Sequence, residues 1–192
     1  MVAGHSLGEY SALYTAGVFD FIAGLRLVKR RAELMSEAAD GAMAALMGVD
    51  RDELDAQLDA TAGVVLANDN NPGQVVVSGT PDAVETVMTS IKVKRAVKLN
   101  VSGAFHSPLM APAAHEFDQI LADLPFKTAT VPVLSNVEPA PSTEGDVLKR
   151  RLMQQMTGAV RWREISLSLP EQAVDTVVEV GPGKVLAGLI KR

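Results

Sequence analysis

The chain has 192 residues, 47% hydrophobic and 21% charged, long enough to bury a core of its own. It has no cysteine and three histidines, which excludes disulfides, thiolate catalysis and Cys-ligated metals. A formal net charge of −5 disfavours nucleic acid as the main partner, and no apolar run reaches the ~20 residues that span a bilayer.

The first residues lack the cationic start and apolar block of a signal peptide. A cytoplasmic protein is expected, with plastid import of a longer precursor as the alternative. Gly4-His5-Ser6-Leu7-Gly8 predicts a sharp turn into a short helix ending near Gly17, and Asp20 reads as the N-cap of a second helix running to about Ala39. Residues 42–101 then alternate: strand Ala42–Gly48, helix Asp50–Ala60, strand Val64–Asn68, strand Gln74–Ser78, a Thr80-capped helix through Ile91, and strand Arg95–Val101. Asn70-Asn71-Pro72-Gly73 is the turn between the two middle strands. The order βαββαβ is the ferredoxin-like one, so 42–101 reads as a small inserted subdomain and 1–41 with 102–192 as a larger one.

After a loop, Ser102–Pro108, the larger part resumes. A helix is expected over about Pro112–Leu121, a short strand over Val131–Asn136 and a charged helix over Thr143–Thr157. Val174–Val180 reads as a continuous apolar strand of the kind buried in a parallel sheet. Gly181-Pro182-Gly183 turns into a last helix. Only Met1, Val2 and Ala3 precede Gly4, too little for the buried strand an elbow normally follows, so the chain reads as cut at its start.

Gly4-His5-Ser6-Leu7-Gly8 fits G-x-S-x-G, in which a nucleophile sits on a strained turn and flanking glycines let backbone approach closely. Ser6 Oγ would then stand at a helix N-terminus, with the Leu7 backbone N–H placed to donate to an oxyanion. A Ser-capped helix start fits the bare pattern equally. A serine nucleophile needs a base, and His106, in the loop Gly103–Pro108, is the best of the three histidines by elimination. His5 adjoins Ser6 and would point elsewhere, and His115 lies in an amphipathic helix. No acid stands out to orient the base, a task a backbone carbonyl can perform. Arg31 falls among Leu27, Leu34 and Met35 on the apolar stripe of its helix. It either snorkels outward or presents a guanidinium inward to fork onto a carboxylate. Glu179–Gly183 lacks phosphate-loop spacing, and the basic run Lys92–Lys98 reads as a solvated face.

Together, Gly4–Leu13, Asn71–Gly79, Val101–Met110, Ala159–Trp162 and Glu179–Leu186 resemble the malonyl-CoA:acyl carrier protein transacylases of type II fatty-acid synthesis. The resemblance implies an α/β fold, an α/β-hydrolase-like large subdomain (incomplete at its N-terminus) carrying an inserted ferredoxin-like small subdomain. It implies an acyltransferase of ping-pong chemistry: Ser6, activated by His106, takes malonyl from malonyl-CoA and passes it to the phosphopantetheine thiol of acyl carrier protein. It further assigns Arg31 to the malonyl carboxylate, the Arg161 carbonyl to orienting the base, and Phe105 to acyl selectivity. Asn68, Asn70 and Gln74 match positions of the CoA or pantetheine cleft. No cofactor or metal is implied, CoA thioester being a substrate. No nucleic acid or membrane partner is implied, and the complete protein is expected to be a monomer. The family's first strand and Gly-Gln-Gly loop, whose Gln is the second oxyanion donor, have no match here. Loss of such a donor costs roughly 2.7–4 kcal/mol of transition-state stabilisation. The alternative is therefore an inactive or weakly active truncated fragment, acting at most as a CoA or acyl carrier protein binding module.

Overall fold

The computed structural model describes residues 1–38, 40–101 and 103–191. The expected helix end at Ala39 and the loop start at Ser102 lie outside the described residues. The chain begins with a short strand, β1 (Val2–Ala3), followed by α1 (Gly8–Thr15) and α2 (Phe21–Glu37). Gly17 has φ +76, the left-handed conformation that ends a helix and that glycine adopts without a Cβ penalty. Asp20 caps α2, its carboxylate accepting from the Ala23 N–H at 2.8 Å.

The expectation of an elbow without its strand, and of a large subdomain incomplete at its N-terminus, is corrected. Val2 and Ala3 pair in parallel with Val133 and Leu134, which form β6, and the Val2 N–H donates to the Pro132 carbonyl at 2.9 Å. The turn that follows is fully built on this pair.

The inserted part comprises β2 (Ala42–Met47), α3 (Arg51–Ala60), β3 (Val64–Asn71), β4 (Gln74–Gly79), α4 (Pro81–Ser90) and β5 (Arg95–Lys98). Its sheet has the order β3-β4-β2-β5, antiparallel throughout, which is the ferredoxin-like arrangement. Side chains alternate along the strands. Leu46, Val75 and Val77 pack beneath α3 and α4 with Leu54, Val84 and Val87, while Met43, Ala45 and Val76 face the other way, towards Phe105. Burial on both faces explains why these strands are nearly all apolar.

The remainder supplies α5 (Ala111–Asp123), β6 (Val133–Leu134), α6 (Gly145–Met153), α7 (Trp162–Glu171) and α8 (Val185–Ile190). Tyr10, Leu27, Phe117, Leu121, Leu148 and Leu152 form the centre of its core. Each such buried side chain contributes roughly 1.5–3 kcal/mol. Helix α7 was not expected from the sequence, although Trp162, Ile165 and Leu169 recur at helical spacing and pack on Leu134. β3 and the segment before α7 are joined across the two parts. The Val160 N–H donates to Ala67 O at 2.8 Å and the Asp69 N–H to Val160 O at 2.9 Å. The buried Asp69 carboxylate also receives Arg51 from α3 and Arg163 from α7, at 3.0 and 2.9 Å.

Val174–Val180 is not a buried strand. No described residue pairs with it as a neighbouring strand, and Val178 and Val180 are 76% and 92% exposed. An apolar run specifies burial only where a partner strand flanks it. No helix is long and apolar enough to cross a membrane among the described residues.

Candidate active site

Ser6 stands at φ +49 between β1 and α1. The steric basis of the glycine before it is explicit. A Cβ on Gly4 would lie 2.0 Å from the carbonyl carbon and oxygen of Gly8 and 2.5 Å from the Glu9 nitrogen. A Cβ on Gly8 would meet nothing within 4 Å, so of the two glycines only the first is demanded by packing. Asn136, fully buried just beyond β6, clamps the turn from below. Its Oδ1 accepts the Ser6 N–H and its Nδ2 donates to Gly4 O, both at 2.7 Å.

The turn delivers Ser6 Oγ to two partners. His106 Nε2 lies 2.8 Å away, and Arg31 Nη2 donates to the same oxygen at 2.8 Å. His106 is itself in the left-handed region, φ +57, so Ser6 and His106 both occupy backbone conformations sparsely used by non-glycine residues. Its Nδ1 lies 2.9 Å from the backbone carbonyl of Gln155. Because a carbonyl only accepts, Nδ1 carries the proton and Nε2 is left as the acceptor facing Ser6. Burial pulls the pKa of His106 down to about 4, so the imidazole is neutral near pH 7.

The expected orienting group, the Arg161 carbonyl, is corrected. It accepts from the Ile165 N–H in the first turn of α7, and the Arg161 guanidinium pairs with Glu164. Gln155 performs the contact instead because α6 ends at Met153, earlier than the predicted Thr157, and the turns that follow free its carbonyl.

Arg31 is 5% exposed and inward-facing, which decides between the two readings of its helix position. It lies 5.5 Å from the centre of the Tyr10 ring, and its Nε is buried without a partner among the described residues. It has no carboxylate within salt-bridge distance among them. Burial lowers its pKa, with Tyr10 and Glu9 opposing. A desolvated guanidinium without a carboxylate partner favours an anionic occupant.

The Leu7 N–H follows Ser6 at the start of α1 and makes no hydrogen bond among the described residues. The Ser6 N–H, by contrast, is occupied by Asn136. Phe105 is half-buried between the large core and the face of the small sheet carrying Met43, Ala45 and Val76. Asn70 and Gln74 line a cleft of about 340 Å³ together with His5, Gly8 and Leu186. Asn70 Oδ1 is 2.8 Å from His5 Nε2, so His5 turns away from Ser6 as expected. Asn68 is not brought to this cleft; it is buried in β3 opposite Val160.

Three residues of the site escaped the sequence. Gln155 acts through its backbone, which has no sequence signature. Asn136 ends an apolar run, and that position was its only cue. Glu9, 1% exposed, resembles any acid in the first turn of a helix.

Residues 1–192 match the acyl transferase domain family. The chain is 58% identical to the malonyl CoA-acyl carrier protein transacylase of Synechocystis sp., over all of this chain and 65% of that protein. Against the Bacillus subtilis protein of the same description it is 44% identical, over 99% of this chain and 63% of that one. The crystal structure of the Synechocystis transacylase aligns with a TM-score of 0.98, covering 100% of this chain and 65% of that chain. An acyl-carrier-protein-S-malonyltransferase from Bartonella henselae, 42% identical, gives 0.95 over all of this chain and 64% of that one. The chain thus spans 63–65% of the length of these relatives, less than two thirds. With its full length matched and a serine, histidine and arginine gathered at one elbow, the chain belongs to the acyl transferase domain family, alongside the malonyl-CoA:acyl carrier protein transacylases.

Proposed function

We propose that this chain carries the acyl-transfer centre of a malonyl-CoA:acyl carrier protein transacylase, with Ser6 as the atom that holds the malonyl group. The observation that carries the reading is the position of Ser6 Oγ, 2.8 Å from both a neutral imidazole nitrogen and a buried guanidinium. The first supports nucleophilic attack, and the second supports an acyl group bearing its own carboxylate. The division at 41/42 and 101/102 into a large and an inserted subdomain belongs to the same reading.

In this mechanism Ser6 Oγ attacks the malonyl thioester carbonyl as His106 Nε2 takes its proton. Gln155 O steadies the imidazolium through Nδ1–H, and the Leu7 N–H meets the developing oxyanion. Collapse breaks the C–S bond, and the departing CoA sulfur receives the proton from His106. The thiol of acyl carrier protein then attacks the seryl ester, His106 again accepting and returning the proton. Arg31, which donates to Ser6 Oγ in the free protein, transfers to the malonyl carboxylate on binding. Asn70 and Gln74 border the cleft through which the pantetheine arm would reach Ser6.

Incubating the chain with malonyl-CoA and holo-acyl carrier protein tests this. Malonyl-acyl carrier protein should accumulate in proportion to enzyme and disappear with Ser6→Ala. No product from folded protein would reduce the reading to a binding module.

A further inference from the structure

Glu9 and the Gln155 side chain have no part in the mechanism above, yet they connect its two halves. Glu9 lies one helical turn beyond Ser6, its N–H donating to Ser6 O at 3.1 Å. Its carboxylate is buried; Oε2 accepts from Gln155 Nε2 at 2.7 Å and from the Asn136 N–H at 3.3 Å. Gln155 Nε2 also donates to Ser6 O at 3.0 Å, while the backbone carbonyl of the same residue receives His106 Nδ1 at 2.9 Å. One residue therefore touches the nucleophile with its side chain and the base with its main chain.

We infer that Glu9 and the Gln155 amide are positioning residues: the buried carboxylate anchors Gln155 to the elbow, and this anchor aims the Gln155 carbonyl at His106. Backbone bonds hold the turn after α6 to its own helix, from the Gln155 N–H to Leu152 O at 3.1 Å and from the Gly158 N–H to Gln154 O at 2.9 Å, and the path from Glu9 through Gln155 ties it to the elbow, setting the imidazole against Ser6 in one register. Glu9 Oε1, Gln155 Oε1 and the Ser135 hydroxyl are buried without a hydrogen-bond partner among the described residues, and enclosed polar atoms of this kind are kept where orientation matters. The requirement is for an acceptor at Oε2.

The full chain is compared with Gln155→Met, Glu9→Ala and Glu9→Gln. Gln155→Met keeps the volume and the backbone carbonyl and removes only the amide; Glu9→Gln keeps an acceptor and removes the charge. The first readout is the ¹⁵N NMR signature of His106, which should show a single Nδ1–H tautomer in the unaltered chain and in Glu9→Gln. In Gln155→Met and Glu9→Ala it should average between tautomers. The second is the rate of Ser6 malonylation at saturating malonyl-CoA. It should fall about 10- to 100-fold in Gln155→Met and Glu9→Ala, with the half-saturating concentration changed by less than about threefold. Glu9→Gln should restore most of the rate. Should Glu9→Ala not fold, Gln155→Met decides. An unchanged tautomer and rate in Gln155→Met would overturn the inference, as would equal damage from Glu9→Gln and Glu9→Ala. The kinetic consequence rests on the malonyl-transfer reading, whereas the tautomer does not. A chain that takes no malonyl therefore refutes that reading alone, and the NMR arm still decides the role of Glu9.

Discussion

Asn136→Ala removes the clamp under the elbow. The side chain is fully buried and makes two hydrogen bonds of 2.7 Å, to the Ser6 N–H and to Gly4 O. Alanine reaches neither, and the enclosed turn leaves both backbone groups without a partner. An unsatisfied buried group costs about 1–3 kcal/mol, so the pair predicts a loss of roughly 2–6 kcal/mol of folding stability. That is a large share of the 5–15 kcal/mol, as an order of magnitude, that holds a domain folded. Ser6 also loses the acceptor that holds it at φ +49, so its reactivity should fall further than the fraction unfolded explains. Urea titration followed by circular dichroism gives the stability, and the malonylation rate in the absence of urea gives the reactivity. A shift below about 1 kcal/mol, with the rate unchanged, would show that the clamp is dispensable and that the strained turn is held by its glycine alone.

Three further outcomes are expected. Gly4→Ala places a Cβ against the Gly8 carbonyl and should destabilise by more than about 3 kcal/mol or prevent folding, while Gly8→Ala should change the unfolding free energy by less than about 1 kcal/mol. Equal effects in urea titration would contradict the steric account. His106, with a pKa near 4 folded and ~6.5 unfolded, takes up a proton on unfolding between those values, so its contribution is complete above about pH 6.5 and declines as pH falls. The loss between pH 7 and 4.5 should be about 2–3 kcal/mol and should vanish in His106→Gln; an identical pH slope in the variant would refute it. Arg31→Ala should lower malonyl transfer about 100-fold or more while acetyl transfer holds or rises. Equal loss of both, measured with the two CoA thioesters, would make the arginine structural.

The parts legible in the sequence were those in which local chemistry and fold agree. Asp20 and Thr80 cap their helices as their side chains dictate, and the apolar runs within 42–98 place the strands of the small sheet. Ser6, His106 and Arg31 were separable because each violates its background: a serine between glycines, a histidine in a loop, a cation on an apolar stripe. What the residues do not encode locally was missed. The orienting carbonyl belongs to any amino acid, so only the early end of α6 reveals that it is Gln155. Val174–Val180 carries the composition of a buried strand without a flanking partner, and composition cannot supply one. Two residues of β1 proved sufficient to seat the elbow because β6 and Asn136 support it from the far side of the sequence, a long-range contact that no local pattern shows.

The central claim is that Ser6 Oγ holds the acyl group. Intact mass spectrometry of the full chain after malonyl-CoA treatment, followed by mapping of the adducted peptide, tests it most directly. One malonyl group should appear on the peptide containing Ser6, be discharged by a pantetheine thiol, and be absent in Ser6→Ala. An adduct that persists in Ser6→Ala, or folded protein that takes up none, would contradict the account.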